Sequence, residues 1–228
     1  ATLTLSTALA ACDDASGPGP SPDIEPAALG ITAAGMREWV ARISDDSTRG
    51  RPTPSAEIDE AALALAARFQ QLGLEPWFGT GYEQRFPYNG GTGPNVAALL
   101  RGRDSALRDE YVVFVAHLDH KGVTTAPLDG DSILNGADDN ASGVAAVMEI
   151  ARAFVAVGVA PRRSVIFLLV SAEEGGLVGA RYYVGSESDW LSHYAGVLNF
   201  DMIGRNAPDL LYVSGLDGST MGDLLRAA

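Results

Sequence analysis

The sequence is poor in cysteine, in histidine and in basic residues. One cysteine and three histidines occur in 228 residues, and a single cysteine excludes an intrachain disulfide. Sixteen lysines and arginines stand against 29 aspartates and glutamates, which gives a net charge of −13. This acidic balance argues against a nucleic-acid partner and against an anionic membrane surface, and it favours solubility.

The apolar run over residues 1–12 is too short to span a bilayer but suits the h-region of a signal peptide. It ends in Leu9, Ala10, Ala11 and Cys12, which resembles the bacterial lipobox, where cleavage precedes a cysteine that is then acylated. A disordered tail with an incidental cysteine is the alternative. We expect a signal-peptide remnant with a lipobox, lipidation at Cys12, and a protein that is secreted or lipid-anchored outside the bacterial inner membrane, on the periplasmic or extracellular side.

Residues 13–31 are rich in proline, glycine, serine and aspartate, and they are predicted to form a flexible linker. Residues 32–228 are long enough for one domain with a sizeable core. Thr32 is a candidate N-cap for a first helix, and a second helix is predicted from about Ala56 to Leu72, closed by Gly73. From Tyr111 onward strands and helices alternate, which predicts an α/β fold, a three-layer α/β/α sandwich with a mixed, mainly parallel central sheet.

Histidine and carboxylate side chains follow the apolar runs at residues 111–116, 165–170 and 196–200. Two further aspartates precede a helix that begins with small residues. In an open parallel sheet, ligands gather at the carboxyl ends of the strands. Carboxylate oxygens together with one imidazole suit zinc or a similar divalent ion. The residues in question are His117, Asp119, Asp138, Asp139, Glu173, Glu174 and Asp201.

Two of these positions are predicted from local geometry. His117 can bind a metal through one ring nitrogen while Asp119, two residues on in an extended segment, steadies the ring. Asp139 can offer both carboxylate oxygens and so bridge two metals about 3.5–4 Å apart, which suits amide hydrolysis. Taken alone, a histidine such as His117 after a strand is more often a core or loop residue, and an aspartate such as Asp139 is commonly a helix N-cap.

The carboxylates that follow the later strands complete the hypothesis. Glu174 and Asp201 can each complete one metal position, and Glu173 is then free to act as general base. A glutamate pair at a helix start also serves the helix dipole, and Asp201 alone also fits a surface turn. Because these groups occur together at successive strand ends, the pattern favours a metal site over these separate structural roles.

Four ordered motifs resemble the M28 metallopeptidases, the di-zinc aminopeptidases of the bacterial secreted type. They are AHLDH at residues 116–120, GADDNASG at 136–143, SAEEGGLVGARYYV at 171–184 and LNFDMIGR at 198–205. The resemblance implies that His117 and Asp201 bind one zinc and Glu174 the other, with Asp139 as the bridge and Glu173 as the base. It also implies a cis peptide bond after Asp139.

The M28 pattern has a fifth ligand, a histidine well downstream of the position matched by Asp201. The histidines of this sequence are His117, His120 and His193, and none follows Asp201. We therefore expect the fifth ligand beyond residue 228, in a chain truncated at both ends. Residues 1–228 alone would then bind about one zinc tightly and show little activity, whereas the complete protein binds two. His193 is interpreted as structural, and His120 as lining the cleft without a role.

The resemblance implies a zinc-dependent aminopeptidase that hydrolyses the N-terminal bond of peptides with a free N-terminus through metal-activated water. A carboxypeptidase would use the same chemistry. A single-zinc enzyme like glutaminyl cyclase and a non-catalytic binding module share the fold and stay open as alternatives. The GLVGARYYV continuation after the glutamate pair is more similar to the peptidases. The expected partners are peptides and no nucleic acid, with membrane contact only through the lipid anchor.

Overall fold

The computed structural model describes residues 30–207, 210–217, 220, 222 and 223. Cys12 with the predicted lipobox, and the linker as far as residue 29, lie outside these residues. The helices are α1 Ala33–Ile43, α2 Ala56–Gln71, α3 Gly143–Val157 and α4 Val178–Ser186. The strands are β1 Glu75–Pro76, β2 Glu83–Tyr88, β3 Gly91–Leu100, β4 Tyr111–His117, β5 Gly122–Leu128, β6 Asp131–Leu134, β7 Ser164–Val170 and β8 Tyr194–Asn199.

The first two helices begin at side-chain caps. The Thr32 hydroxyl accepts a hydrogen bond from the Gly35 N–H at 3.0 Å, and the Ser55 hydroxyl accepts one from the Ile58 N–H at 3.1 Å. Helix α2 ends just before Gly73, whose φ of +75° lies in the left-handed region that glycine adopts without steric cost. The caps predicted at Thr32 and Gly73 are confirmed.

The main sheet has the order β1-β3-β7-β4-β8, with β2 also paired to β3. Strands β7, β4 and β8 are parallel, whereas β1, β2 and β7 each pair with β3 in the antiparallel sense. The prediction of a mixed sheet is confirmed, but the parallel part is limited to β7, β4 and β8. The two-residue connection between Tyr88 and Gly91 makes β2 antiparallel to β3, since a hairpin that short joins only antiparallel strands.

Helices cover both faces of the sheet. On one face α2 and α3 pack over an aromatic cluster of Phe69, Phe114, Phe154 and Phe167, and α1 packs on α3. On the other face Tyr183 of α4 packs against the opposite sides of the same strands. These layers confirm the three-layer α/β/α sandwich.

Helix α3 is the central helix of this core. The segment Ala137–Val157 is long and apolar enough to cross a membrane by length and composition, but 78% of its most apolar window is buried inside the fold. Its apolar character is therefore explained by burial between the sheet and α1.

The parallel strands determine where the polar side chains meet. In the β4–β7 register His117 lies opposite Val170, and the Phe200 N–H just after β8 donates to the carbonyl of Val115 at 2.9 Å. The carboxyl ends of β4, β7 and β8 therefore lie side by side, and the segments that follow them share one edge of the sheet.

Candidate metal centre

A first group of ligand atoms forms where β4 and β8 end. The Nε2 atom of His117 lies 3.1 Å from Oδ1 of Asp139 and 3.4 Å from Oδ1 of Asp201. The His117 side chain is only 4% exposed, whereas that of Asp201 is 44% exposed. One side of this group is therefore buried and the other open to solvent.

A second group lies beside the first. The Nδ1 atom of His120 lies 2.8 Å from Oε1 of Glu174 and 3.7 Å from Oδ2 of Asp139. Lys121 lies at its outer edge, with its ammonium 3.4 Å from Oε2 of Glu174. The two groups each contain three potential metal ligands within 4.8 Å of one another.

Asp139 belongs to both groups through different oxygens. Its Oδ1 faces His117 and its Oδ2 faces His120. The peptide bond between Asp139 and Asn140 is cis, as the family resemblance implies. This arrangement is the one that a carboxylate bridging two ions requires.

The segment that carries Asp139 is fastened to the segment after β8. The Asn140 side-chain amide donates to the Phe200 carbonyl at 2.9 Å, and the Ser142 hydroxyl accepts from the Ile203 N–H at 3.2 Å. The Asp138 carboxylate accepts from the Gly204 N–H at 2.8 Å. These bonds fix the position of the Asp139 loop relative to the loop that carries Asp201, so Asp138 acts here as a structural acceptor.

Asp119 links the end of β4 to the end of β7. Its carboxylate is 1% exposed and accepts hydrogen bonds from the N–H groups of Glu173 at 3.1 Å and Glu174 at 3.4 Å. The His117 Nδ1 atom is 3.1 Å from the Asp119 carbonyl oxygen but 3.8 Å from its carboxylate. The ring thus contacts the main chain of Asp119, because the extended geometry of β4 ends at His117.

Glu173 lies at the cluster without belonging to either ligand group. Burial raises the pKa of its carboxyl, and the carboxylates of Glu174, Asp119 and Asp201 raise it further against an opposing effect of His117. A carboxyl held above its usual pKa is suited to take and return a proton near neutral pH.

The two imidazoles differ in their electrostatic surroundings. Burial acts to lower the pKa of His117, but the carboxylates of Asp119, Asp201 and Glu173 outweigh it and raise the pKa to about 9. Burial lowers the pKa of His120. In the metal-free protein His117 is therefore protonated at neutral pH and His120 is neutral.

Arg51 lies beneath the cluster and is fully buried, at 0% exposure. Its guanidinium donates to the carbonyls of Leu118 at 2.9 Å, Ile43 at 2.7 Å, Asn135 at 2.7 Å and Gly136 at 3.2 Å. Burial lowers its pKa to about 10, although Asp119 and Asp139 act in the opposite direction. Arg51 therefore joins the loop after β4 to the loop that leads into Asp139.

Two residues contribute to this site although the sequence predicts no role for them. His120 joins a ligand group although no role was expected for it, and its signal was its place three residues after His117. Arg51 lies in a segment rich in glycine and proline, typical of a surface loop, where no local pattern marks a buried cation. His193 lies apart, with its Nδ1 3.0 Å from the Asp109 carbonyl.

Comparison with known proteins identifies the family. The model of peptidase family M28 matches residues 95–228, which include every residue of both ligand groups. The chain belongs to peptidase family M28.

Individual curated relatives and solved structures are also similar to this chain. A probable zinc metalloprotease of Leptosphaeria maculans is 36% identical over 115 residues, which cover 50% of this chain and 25% of that protein. The LapA aminopeptidase of Legionella pneumophila matches with a TM-score of 0.64 at 22% identity, over 86% of this chain and 48% of that one. A glutaminyl cyclase of Fimbriiglobus ruber matches with a TM-score of 0.61 at 17% identity, over 77% of this chain and 63% of that one.

At these identities the solved structures show the fold alone. The chain spans about a quarter of the length of the curated relative from Leptosphaeria maculans, and about half to two thirds of the length of the two structures.

The donor set fits the zinc ions that the M28 family implies. Tetrahedral zinc with bonds of roughly 2.0–2.2 Å places its ligand atoms about 3.3–3.6 Å apart. The distances from each imidazole nitrogen to its two carboxylate oxygens are 3.1 and 3.4 Å in one group and 2.8 and 3.7 Å in the other. Imidazole and carboxylate are also the ligands that zinc takes at catalytic sites.

Proposed function

We propose that this M28 protein is a zinc-dependent aminopeptidase that hydrolyses the N-terminal bond of a peptide. One observation carries the proposal: the two carboxylate oxygens of Asp139 face two separate ligand groups, and Glu173 interacts electrostatically with His117 of one group and Glu174 of the other. A carboxylate shared in this way supports a two-metal hydrolytic centre.

The two ligand groups indicate which residues would bind each zinc ion. His117, Asp139 and Asp201 would hold one zinc, and Asp139 and Glu174 would hold the other. Zinc, when bound, polarises the scissile carbonyl and makes water a stronger nucleophile near neutral pH. Everything else in the reaction is assigned to side chains of the protein.

Glu173 is assigned the proton transfers. Its carboxylate takes a proton from the attacking water and returns it to the amine of the departing peptide. Its raised pKa supports this role, and so does its main-chain bond to Asp119, which fixes the segment from which the side chain extends.

The charge of the site favours a substrate with a free amino terminus. Carboxylates of Asp139, Glu173, Glu174 and Asp201 converge there, and Lys121, the basic side chain that contacts them, is 57% exposed. Bound zinc would offset the charge of the carboxylates that hold it, so Glu173, which belongs to neither ligand group, is the carboxylate left to attract a protonated α-amino group.

Two matched substrates test the proposal. Leucine p-nitroanilide should be hydrolysed, and its N-acetyl derivative should show a kcat/KM lower by at least about a hundredfold. Equal rates on both substrates, or hydrolysis only from the carboxyl end of a peptide, would refute an aminopeptidase.

A third substrate separates the remaining enzyme class. A peptide with N-terminal glutamine should lose that residue by hydrolysis. Cyclisation of the glutamine with release of ammonia, by a protein that holds a single zinc, would identify a glutaminyl cyclase instead.

A further inference from the structure

We propose that Thr53 is a positioning residue for Glu173 and acts through the main chain of Ala172. The Thr53 hydroxyl accepts a hydrogen bond from the Ala172 N–H at 3.2 Å, and Ala172 directly precedes Glu173. This inference rests on the proposed function, in which Glu173 is the general base. It adds to that function a residue that does not touch the substrate and that determines where the base is held.

The segment that carries Glu173 is held by side chains from other parts of the chain. Each N–H group of residues 171–174 donates to such a side chain. The acceptor of the first is the amide oxygen of the buried Asn95 on β3, at 3.1 Å. The acceptor of the second is Thr53, and the carboxylate of Asp119 accepts the other two. Thr53 therefore belongs to a continuous row of acceptors that fixes this segment.

Ala172 is the position in that row where a missing acceptor would have the largest effect. Its φ of +54° lies in the left-handed region, which alanine adopts only at a steric cost. Ala172 is 1% exposed, so its main-chain groups need partners within the protein. Its carbonyl accepts from the Val178 N–H at 3.0 Å, and its N–H donates to Thr53. Without the Thr53 hydroxyl this turn would relax and would move Glu173 with it.

The Thr53 side chain is itself fixed. Its methyl group faces β3 at Gly93, where a Cβ atom would lie 2.9 Å from the Thr53 Cγ2 atom. Two residues earlier, Arg51 is anchored by its bonds to main-chain carbonyls. Because a β-branched side chain has few rotamers, these contacts keep the hydroxyl directed at Ala172 before any substrate binds.

A pair of substitutions separates the hydroxyl from the shape of the side chain. Thr53→Val keeps the branched shape and removes the hydroxyl. In the complete protein at saturating zinc, kcat and kcat/KM for leucine p-nitroanilide should both fall by about 10–100-fold, because the base is misplaced while substrate binding is kept. Thr53→Ser keeps the hydroxyl and should recover most of the turnover. A loss in Thr53→Ser as large as that in Thr53→Val, or a change in KM alone, would refute the inference.

Thr48 offers a matched control. Its hydroxyl is exposed and donates to the Asp45 carbonyl at 2.7 Å, in the same part of the chain as Thr53. Thr48→Val should change neither kcat nor kcat/KM. A loss of turnover in Thr48→Val equal to that in Thr53→Val would show that any missing hydroxyl in this segment has the effect, and would refute the specific role of Thr53.

A double-mutant cycle tests whether Thr53 acts through the base. In the Glu173→Gln background, Thr53→Val should lower the remaining turnover by less than about twofold, since no base is left to misplace. An equal fall in both backgrounds would mean that Thr53 acts on other groups or on the fold, and would refute its positioning role.

Amide hydrogen exchange tests the hydrogen bond without any measurement of activity. In folded Thr53→Val, the Ala172 N–H should exchange at least about tenfold faster than in the unsubstituted protein, whereas the Ser171 N–H, held by Asn95, should not change. Unchanged exchange at Ala172 would refute this inference and leave the proposed function intact. An unsubstituted protein that does not hydrolyse leucine p-nitroanilide would instead refute the aminopeptidase, and the exchange at Ala172 would still decide whether Thr53 holds this turn.

Discussion

Replacing Arg51 with methionine should destabilise the fold by about 3–5 kcal/mol. The guanidinium donates to four main-chain carbonyls, and those of Ile43, Leu118 and Asn135 accept no other hydrogen bond within the described part of the chain. Each buried carbonyl left without a donor costs about 1–3 kcal/mol, or about 2–6 kcal/mol for those of Ile43 and Leu118, and the part-buried carbonyl of Asn135 adds to this loss. Release from burying the guanidinium offsets part of the total, so about 3–5 kcal/mol is expected.

Arg49 offers a matched control. Its φ of +46° is almost that of Arg51 at +48°, so methionine meets the same backbone cost at either position. The Arg49 side chain is 60% exposed and pairs with Glu57 at 3.4 Å, and exposed pairs of this kind contribute about 0–1 kcal/mol.

Urea denaturation of the two variants measures the difference. Arg51→Met should lower the midpoint by more than about 1 M relative to Arg49→Met, given a slope of roughly 1–3 kcal/mol per molar urea. Free energies of unfolding that agree within about 0.5 kcal/mol would refute the structural role assigned to Arg51.

Further predictions concern the centre and the amino terminus. Glu173→Gln should retain zinc by mass spectrometry yet lose about 10²–10⁴ in turnover, and near-normal turnover would reject its role as base. Without metal, His117 is protonated below a pKa of about 9, so zinc must displace that proton when it binds. The zinc affinity measured by titration should therefore rise by up to about tenfold per pH unit from about pH 6 to pH 8. A zinc affinity that does not change over this pH range would contradict this. Gly136→Ala should lower the free energy of unfolding, measured by urea denaturation, more than Gly73→Ala does. Both glycines have positive φ, but only at Gly136 would a Cβ atom meet other atoms. Equal losses in the two variants would show that the contact at Gly136 is relieved. In a bacterial host, Cys12→Ser should abolish incorporation of labelled palmitate into the complete precursor, and an unsubstituted precursor that never incorporates label would refute lipidation.

The sequence predicts the parts of the fold that depend on periodicity and strand order. Apolar runs long enough for buried strands, each followed by a histidine or a carboxylate, place His117 and Asp201 at one edge of a parallel sheet. The helix caps at Thr32 and Gly73 depend on neighbouring residues alone, so they too could be predicted. The place of β3 between β1 and β7 depends on pairing over long sequence distances, which periodicity does not specify.

The supporting residues of the site could not be predicted for the same physical reason. Arg51 contacts carbonyls 67 and 84 residues away, and His120 meets a glutamate 54 residues away. Both contacts form only after the loops have packed. Asp119 illustrates the limit of local rules, because alternation along β4 ends at His117 and the Asp119 carboxylate points to the N–H groups after β7 instead.

Zinc-edge anomalous diffraction tests the central claim most directly. Crystals of the complete protein grown with zinc should show two anomalous peaks roughly 3.5–4 Å apart, one beside each carboxylate oxygen of Asp139. The same map of Asp201→Ala should lose the peak near His117 and keep the one near Glu174. A single peak in the unsubstituted protein, or two peaks of which only one is bound by Asp139, would contradict a two-zinc centre organised around this aspartate.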